Sequence, residues 1–492
     1  MKNLKHLALA LVALLAVPGL VNAAELPVDD AGDLDACLAI DGNTCILDTG
    51  FEVNSTITIS VGQNVVIDLN GNNITSDLST LFHVTNGTLT ITGNGTITNT
   101  GDVLFVEGNT TLGGAKRDAV VVIESGVTIV SKTSNCIYIR GNGAKADIYG
   151  DLVSESTEYA AVQGNGTVST ATNTDNGHTE INIYDGASVI NENNHAIYHP
   201  QSGTLTVYGG TIKGTTGIEM RSGDLVVEDG EITSLGTTTT SAPNGNGTAV
   251  NGAAIAVAQH TTIQEVSITI NGGVITGPTA VYEETPENPS DETIVNLEIA
   301  GGEFISTNDT QDAISSENKT GFITGSIEAD VASVKYAKDG AYITLNESLD
   351  IDDVLAVPEG VSVELPEEDF GEKVFVDNGD GTFTVKESAD LTKLIELIEK
   401  IEKLDEKDYT EKSAEEFGKL LDELGEELEN LELTVDNQDK VDDIVKRLEA
   451  GMDKLIKKNS NPETSDNIGL YFSLALVSLT LAGAVVLKKR YN

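Results

Sequence analysis

One short phrase returns along the chain from about residue 88 to residue 304. Each copy combines an alternating strand pattern, a glycine turn and a second short strand. The copies read LTITGNGTI, VVIESGVTI, ADIYGDLV, INIYDGASVI, LTVYGGTIKG, LVVEDGEITS, ITINGGVITG and LEIAGGEFIS. The glycine before the second strand recurs after 20 to 43 residues. Such variable spacing argues against a fixed-length repeat and favours stacked coils whose connecting loops differ in length.

A third strand pattern follows each copy and aligns into two columns, one apolar and one of small residues. The apolar column contains Ile137, Val162, Ile197, Ile218, Ile255, Val281 and Ile314. The column before it contains Cys136, Ala161, Ala196, Gly217, Ala254, Ala280 and Ala313. Like residues at coil spacing are what a parallel β-helix needs, because each strand pairs with its equivalent about 4.8 Å away in the next coil.

These motifs resemble the right-handed parallel β-helix of the pectate-lyase-like superfamily, over roughly residues 50 to 345. The stretch ITISVGQNVVIDLNGNNI, residues 57–74, is similar to the first coil of such surface repeats. The resemblance implies a right-handed parallel β-helix. With the segments that follow it, the predicted fold is mainly β: this β-helix, then a small three-helix bundle and a C-terminal transmembrane helix. A β-sandwich built of hairpins is the competing fold.

The flanks of the predicted β-helix, which spans residues 51–345, are expected to close its ends. Residues 24–50 contain DAGDLDACLAI and predict an N-terminal cap with a short helix, because an uncovered sheet edge invites aggregation. Residues 346–386 predict a β-rich C-terminal cap, in which NGDG turns a hairpin within KVFVDNGDGTFTVKE. The insertion at 235–262, rich in threonine and glycine, predicts a mobile loop.

From residue 387 to residue 458 the apolar residues recur with a period of 3.6 instead of 2. This region contains three amphipathic segments connected by short polar stretches. Such segments predict a small antiparallel three-helix bundle. The stretch LDEKDYTEKSAEEFGKLLDEL, residues 404–424, resembles the FIVAR module of bacterial surface proteins, which implies a spacer or a weak sugar-binding element. Ala414 stands where that family commonly has tryptophan, which favours the spacer.

The two ends of the chain predict export at the N-terminus and membrane retention at the C-terminus. Residues 1–23 combine basic residues, an apolar run and a small-residue cleavage site, which predicts a signal peptide. Residues 468–487 form an uncharged stretch of 20 residues, followed by the basic tail 488–492. This pattern predicts a transmembrane helix with a cytoplasmic tail, so we expect an extracellular chain held at its C-terminus.

The linker at 459–467 contains NPETS directly before this span. The order resembles the LPxTG-like sorting signal of Gram-positive surface proteins, with Asn461 and Ser465 replacing the usual leucine and glycine. The resemblance implies that a sortase cleaves after Thr464 and joins the chain to the cell wall. The signal residues would be Asn461, Pro462, Glu463, Thr464 and Ser465. An ordinary linker before a membrane helix is the alternative.

The chain is strongly acidic, with 78 acidic residues, 29 basic residues and a formal net charge of −49. This charge repels nucleic acid and anionic lipid as partners. No calcium-binding loop and no metal spacing of cysteines appear, so we predict no metal and no cofactor. Cys37 and Cys45 have seven residues between them in an exported chain, which allows a local disulfide.

The residue after the apolar column should point outward. This set contains Tyr138, Gln163, Tyr198, Glu219, Ala256, Tyr282 and Ser315. Tyrosine rings stack on sugars and a carboxylate accepts sugar hydroxyls, so the candidate glycan contacts are Tyr138, Tyr198, Glu219 and Tyr282. Tyrosine is also an ordinary strand former, which is the structural alternative.

No catalytic residue is assigned from the sequence. Acids are so abundant that no pair stands out as a glycosidase pair, and Arg140 and Arg221 fall about three coils apart. His195 and His199 are expected at the surface or in a turn. The prediction is a non-catalytic, cell-surface-anchored display or adhesin-like protein with weak contacts to a glycan or host-surface ligand. The alternative is a surface polysaccharide lyase or glycoside hydrolase.

Overall fold

The computed structural model describes residues 24–60, 62–111, 114–165, 178–244, 247–258, 265–284, 295–317, 319–366, 369 and 371–458. The predicted signal peptide, sorting signal, transmembrane span and basic tail lie outside these residues. Within them, no helix is long and apolar enough to cross a membrane. The chain divides into two compact units, one of residues up to 344 with 360–362, the other of residues 345–359 and those from 363.

The first unit consists mainly of short strands. In chain order its elements are β1 Glu25–Val28, α1 Ala31–Leu38, β2 Thr44–Leu47, β3 Phe51–Glu52, β4 Ile57–Ile59, β5 Gln63–Asp68, β6 Asn73–Ser76, β7 Thr80–Val84, β8 Gly87–Thr92, β9 Gly95–Asn99, β10 Asp102–Glu107, β11 Ala119–Ile123, β12 Val127–Ser131, β13 Ile137–Arg140, β14 Ala144–Ile148, β15 Asp151–Ser154, β16 Val162–Gly164 and β17 Thr179–Ile183. They continue as β18 Ser188–Asn191, β19 Ile197–His199, β20 Gly203–Val207, β21 Thr211–Gly214, β22 Ile218–Met220, β23 Gly223–Val227, β24 Glu231–Ser234, β25 Thr240–Asn244, β26 Gly247–Asn251, β27 Ala253–Ala258, β28 Val266–Ile270, β29 Val274–Gly277, β30 Thr279–Glu284, β31 Val295–Ser306, β32 Ile314–Ser316, β33 Ile323–Ala329, a 3-10 helix Val331–Tyr336 and β34 Tyr342–Leu345.

These strands stack into three parallel ladders, and each typical coil gives one strand to each ladder. The first ladder is β1, β2, β5, β8, β11, β14, β17, β20, β23, β28, β31 and β33. The second is β3, β6, β9, β12, β15, β18, β21, β24 and β29, ending on the long β31. The third is β4, β7, β10, β13, β16, β19, β22, β27, β30 and β32. This arrangement confirms a mainly β, parallel β-helix architecture, and the alternative of a hairpin sandwich is wrong because coil neighbours pair in parallel.

The apolar column predicted from the sequence lies in the third ladder. Its members are register partners from β13 to β32, and each is fully buried. Successive residues of a strand point to opposite faces. The residue that follows each member of this buried column therefore points away from the core. Burying each aliphatic side chain contributes about 1.5 to 3 kcal/mol relative to leaving it exposed.

Buried polar side chains close the corner after the second ladder. They sit at the last strand positions there and include Ser76, Asn99, Ser131, Ser154, Asn191 and Ser234, and the partly buried Ser306 takes the same position on β31. Each donates to a main-chain carbonyl of a turn; Ser131 Oγ, for example, lies 2.9 Å from Gly101 O. Main-chain carbonyls that are removed from water need hydrogen-bond donors. This column of side chains supplies a donor to the turn at the same corner of successive coils.

The N-terminal segment contains the expected short helix. Asp30 caps α1 by accepting hydrogen bonds from Gly32 N and Asp33 N, at 2.8 and 2.9 Å. A disulfide joins Cys37 of α1 to Cys45 of β2. The strands β1 and β2 were not foreseen: they extend the first ladder, so this segment supplies rungs of the β-helix as well as a helix.

The second unit combines a small sheet with three helices. The remaining elements of the chain are β35 Val354–Ala356, β36 Ser362–Glu364, β37 Lys373–Asp377, β38 Thr382–Glu387, α2 Thr392–Glu402, α3 Glu411–Glu429 and α4 Gln438–Asp453, with 3-10 turns at Glu406–Asp408 and Val435–Asn437. Strands β37 and β38 form the hairpin predicted at NGDG, and β35 pairs with β38. The segment 346–386, expected to cap the β-helix, belongs almost entirely to the compact unit that holds the helices.

The three helices occupy the three predicted amphipathic segments and share one hydrophobic core. Its buried members include Leu394, Ile398, Phe417, Leu421, Leu424, Val441, Ile444 and Leu448. Ala414 of α3 is 1% exposed, so this position faces protein rather than solvent.

Candidate functional site

The outward side chains of the third ladder form one continuous row, which we call the outer row. From the first coil to the last its members are Thr58, His83, Phe105, Tyr138, Gln163, Tyr198, Glu219, Ala256, Tyr282 and Ser315. The candidate glycan contacts Tyr138, Tyr198, Glu219 and Tyr282 all lie in this row. The structure therefore aligns them along one face of the β-helix, although their surroundings differ.

Five side chains from three neighbouring coils form the Phe105 cluster. The rings of His83 and Phe105 stack with centroids 4.5 Å apart, and Arg140 Cζ lies 5.0 Å from the Phe105 centroid. Arg140 Nε and Nη2 donate to Glu107 Oε1 at 3.0 and 2.6 Å, and His83 Nε2 lies 3.3 Å from Glu107 Oε2. Tyr138 packs on Phe105 at 5.1 Å. The cluster is thus aromatic, and its acid is balanced by an arginine.

This arrangement decides which ring of the cluster can serve a ligand. Phe105 has His83 against it at 4.5 Å and Arg140 near it at 5.0 Å, so its faces are largely used within the protein. Tyr138 is partly exposed, and its hydroxyl accepts a hydrogen bond from Asn165 Nδ2 at 2.7 Å. Tyr138 is therefore the better-placed ring for stacking on a sugar. The sequence analysis missed His83, Phe105 and Glu107, although LFHV and LFVE repeat the pattern of the later strands.

A second group, the Glu219 cluster, lies on β19, β22 and the residues beside them. His195 Nε2 is 2.8 Å from Glu219 Oε2, and the rings of His195 and Tyr198 meet edge to face at 6.3 Å. Arg221 hydrogen-bonds the hydroxyl of Tyr198. Burial raises the pKa of Tyr198, so the phenol stays protonated at neutral pH. Glu219 and Arg221 are each 2% exposed, unlike the solvent-facing carboxylate that the sequence suggested.

One oxygen of this cluster is buried without a hydrogen-bond donor. The main-chain N–H of His195 donates to Asn194 Oδ1 at 2.8 Å, and His195 Nδ1 lies 2.7 Å from the same oxygen, so Nδ1 carries a proton. Nε2 approaches Glu219 Oε2 at ion-pair distance but is not aligned for a hydrogen bond. Glu219 Oε1 is buried and has no partner among the described residues. A buried carboxylate oxygen costs free energy until a donor satisfies it.

The hairpin formed by β25 and β26 covers the outer row beyond Glu219. Val250 of this hairpin packs in one apolar cluster with Ala253, Ala256 and Ala258, against which Tyr282 rests. Ala256, the register partner of Glu219, is 0% exposed. The described part of the insertion that was predicted to be a mobile loop, residues 235–244 and 247–258, therefore contains a paired hairpin that packs over the row at Ala256.

Hydrogen bonds hold the residues before this hairpin in place. The main chain of Thr239 and the side-chain amide of Gln311 exchange two bonds, of 2.7 and 3.0 Å, and Asn308 Nδ2 donates to Thr237 O at 2.9 Å. Tyr282 donates to Glu284 Oε2 at 2.9 Å and is also bonded by Ser241 of the hairpin. Tyr282 is thus engaged in fixing the cover.

The structure contradicts the expected position of His199 and agrees with the expected spacing of Arg140 and Arg221. His199, expected at the surface or in a turn, points into the β-helix and is 0% exposed. Its Nδ1 lies 3.0 Å from Ser222 O, and burial lowers its pKa to about 4. Arg140 and Arg221 share an outward column three coils apart, as the sequence predicted. Within the described parts of the chain, no three His, Cys, Asp or Glu residues are grouped to hold a metal.

A stack of three tyrosines was also missed. Tyr149, Tyr184 and Tyr208 follow β14, β17 and β20 at one corner, with centroid distances of 4.1 and 5.1 Å. The signal was present in ADIYG, INIYDG and LTVYGG, where tyrosine directly follows three successive first-ladder strands. Stacked rings cover one another's faces, so this stack mainly offers ring edges and the outer faces of its two end rings, Tyr149 and Tyr208.

No protein-family model, curated protein or solved structure matches the chain at a significant level.

Proposed function

We propose that the chain is a cell-surface display protein, adhesin-like and non-catalytic, that holds an extended glycan along the open part of the outer row. The observation that supports this most is the unbroken series His83, Phe105, Tyr138, Gln163 and Tyr198 on adjacent strands of one ladder. Its four steps extend about 19 Å at strand spacing. A linear polysaccharide repeats its hydroxyls and ring faces on a comparable scale, so several weak contacts add along one chain.

Charge favours a neutral glycan as this ligand. The chain carries a formal net charge of −49, which repels polyanionic polysaccharides. Arg140, beside the outer row, is paired with Glu107 and so offers little free positive charge to a uronate or sulfate. Recognition would then depend on contacts with sugar hydroxyls and sugar ring faces, and neutral sugars provide both.

The proposed location follows from the sequence patterns at the two ends. Residues 1–23 would direct export, residues 461–465 would be the sortase signal and residues 468–487 would hold the chain in the membrane. The FIVAR-like helical unit would serve as a spacer between the wall and the β-helix. Mass spectrometry of the C-terminus released by cell-wall digestion tests this: a peptide ending at Thr464 and bonded to wall material supports it, whereas an intact Asn492 terminus contradicts sortase processing.

Glycan binding by the purified protein tests the role of the outer row. We expect binding to neutral oligosaccharides, weakened about fivefold or more by Tyr138→Ala or Tyr198→Ala, since loss of one sugar-stacking ring costs on the order of 1 kcal/mol. Tyr208→Ala is the matched control, because Tyr208 lies on another face and is 42% exposed. Equal loss in all three variants would contradict a role specific to this row.

A polysaccharide lyase or hydrolase is the second candidate function. The observation in its favour is that an acid and an arginine pair at Glu107 and Arg140 on adjacent coils, and that Glu219 and Arg221 both lie close enough to Tyr198 to interact with it electrostatically. Tyr198 and His195 beside Glu219 add groups able to transfer protons. Release of reducing ends or of unsaturated products from neutral or acidic polysaccharides would establish this alternative, and its loss in Tyr198→Phe would locate it.

A further inference from the structure

We infer that the glycan on the outer row carries acetamido groups, and that the Phe105 cluster recognises one of them. This inference rests on the proposed function and names the class of sugar, a neutral N-acetylated hexosamine. It depends on two hydrogen-bond donors that the described protein leaves open, Arg140 Nη1 and the hydroxyl hydrogen of Tyr138, and on the charge around them.

Arg140 uses two of its three guanidinium nitrogens within the protein. Nε and Nη2 both donate to Glu107 Oε1, at 3.0 and 2.6 Å. Nη1 makes no hydrogen bond to any residue that the structure describes, and it is not buried. The Arg140 side chain as a whole is 33% exposed. A ligand can therefore reach a charged donor here without displacing Glu107.

The hydroxyl of Tyr138 supplies the second donor. Its oxygen accepts a hydrogen bond from Asn165 Nδ2 at 2.7 Å, so its own hydrogen is available for a ligand. Tyr138 lies two residues before Arg140 on β13, so both side chains point to the same face of the strand. Arg140 Cζ lies 6.0 Å from the centroid of the Tyr138 ring. The two donors are thus neighbours on a partly exposed surface.

Two neighbouring donors favour a ligand group that only accepts hydrogen bonds. An amide carbonyl oxygen has two lone pairs and no hydrogen, whereas a sugar hydroxyl must also place its own hydrogen. A carboxylate likewise only accepts, but the net charge of −49 and the pairing of Arg140 with Glu107 disfavour an anion. The carbonyl of an acetamido group is the neutral sugar substituent that meets both conditions.

The aromatic side chains of the cluster suit the methyl group of the same substituent. The rings of Phe105 and Tyr138 are tilted by 49° with centroids 5.1 Å apart, so they do not cover each other's faces. Both side chains are partly exposed. A methyl group that packs on them removes apolar surface from water, which is favourable. A plain hexose has only a hydroxyl at this position and gains nothing from such a contact.

Calorimetric titration of the purified protein with two matched oligosaccharides tests the inference. Chitohexaose and cellohexaose have the same β-1,4-linked backbone and differ only in the acetamido group that replaces one hydroxyl of each sugar. We expect chitohexaose to bind at least about tenfold more tightly, because it adds a hydrogen bond to a charged donor. Equal affinities would overturn acetamido recognition and leave glycan binding intact. Binding of neither oligosaccharide would overturn the proposed function as well.

A third probe separates two sources of this chemistry. Acetamido sugars with this linkage occur in chitin and in the glycan strands of bacterial cell walls, whose peptide-substituted sugars also carry carboxylates. The acidic protein repels those carboxylates, so we expect soluble wall strands to bind more weakly than chitohexaose at low ionic strength. Equal or stronger binding of the wall strands would overturn the preference for a neutral ligand.

Two conservative variants locate the effect at the Phe105 cluster. Tyr138→Phe keeps the ring and removes the hydroxyl, and Arg140→Lys keeps a charge beside Glu107 and removes Nη1. Each should reduce the preference for chitohexaose to about threefold or less and change the affinity for cellohexaose by less than about twofold. Tyr208→Phe, on another face, is the matched control and should keep the full preference. A preference retained in both variants, with unchanged circular dichroism spectra, would contradict recognition by this cluster.

Discussion

Phe105 stacks on His83 of the preceding coil with ring planes only 3° apart, and Arg140 of the following coil lies 5.0 Å from the Phe105 centroid. The parallel register places these side chains one above another, so a surface ring interacts with both neighbouring coils. Phe105→Ala removes both contacts, and we expect the free energy of unfolding to fall by about 1 to 2 kcal/mol. Urea unfolding followed by circular dichroism measures this. The control Thr90→Ala changes an outward residue of the first ladder and should shift stability by less than about 0.5 kcal/mol.

Two glycines with positive φ differ in the space around them. Gly203 has φ +119°, and a Cβ there would lie 2.2 Å from Thr179 O; Gly186 has φ +83° with nothing within 4 Å. Gly186→Ala should therefore cost only the left-handed strain, about 1 to 2 kcal/mol. Gly203→Ala must also push two coils apart and should destabilise clearly more. Thermal unfolding of the two variants compares them, and equal shifts would show that the close approach of the coils does not matter.

His199 makes stability depend on pH. Its pKa is lowered to about 4 by burial, whereas an unfolded histidine titrates near about 6.5. The unfolded chain therefore binds the proton first, so the contribution is present in full above about pH 6.5 and is lost as pH falls toward 4. It amounts to about 3 kcal/mol.

The acidic residues also titrate in this range. The effect of His199 is therefore measured as a difference in the free energy of unfolding between wild type and a His199 variant. The free energy of unfolding of wild type minus that of His199→Gln should decrease by about 3 kcal/mol between pH 7 and pH 4. A difference that stays constant across this range would mean that His199 is not buried as a neutral imidazole.

The disulfide between Cys37 and Cys45 closes a loop with a sequence separation of 8 residues. Loop-entropy arguments give a stabilisation of about 2 kcal/mol. Reduction should therefore speed amide hydrogen exchange in α1 and β2, measured by mass spectrometry, while leaving the helices α2 to α4 unchanged. The double variant Cys37→Ser, Cys45→Ser should show the faster exchange with or without reductant. If reductant accelerates exchange in the double variant too, its effect does not come from this bond.

The columns of the third ladder could be predicted because a parallel β-helix stacks like residues on like residues. Aligning NCIYIR with HAIYHP already places Ile137 above Ile197, and the outward residues Tyr138 and Tyr198 follow from the alternation of the strand. At these positions the local strand pattern and the stacking of coils both require an inward apolar residue followed by an outward residue. The sequence was therefore sufficient for the row from Tyr138 to Ser315, whereas its earlier members Thr58, His83 and Phe105 were missed.

The cover over that row could not be predicted in the same way. The insertion TTTTSAPNGNGTAVNG has little apolar content and no clear period, yet it pairs as a hairpin and places Val250 on Ala256. Its position depends on long-range bonds such as those between Thr239 and Gln311, which are 72 residues apart. The burial of Glu219 has the same kind of origin, because it depends on neighbouring coils and not on the strand that carries it.

Hydroxyl-radical footprinting of the protein with a bound neutral oligosaccharide tests the central claim most directly. Oxidation of Tyr138 and Tyr198 reports on the outer row, and oxidation of Tyr208 reports on a separate face that is 42% exposed at this ring. The account predicts that the oligosaccharide protects Tyr138 and Tyr198 and leaves the oxidation of Tyr208 unchanged. Protection of Tyr208 with no change at Tyr138 and Tyr198 would contradict it and would move the binding surface to the tyrosine stack.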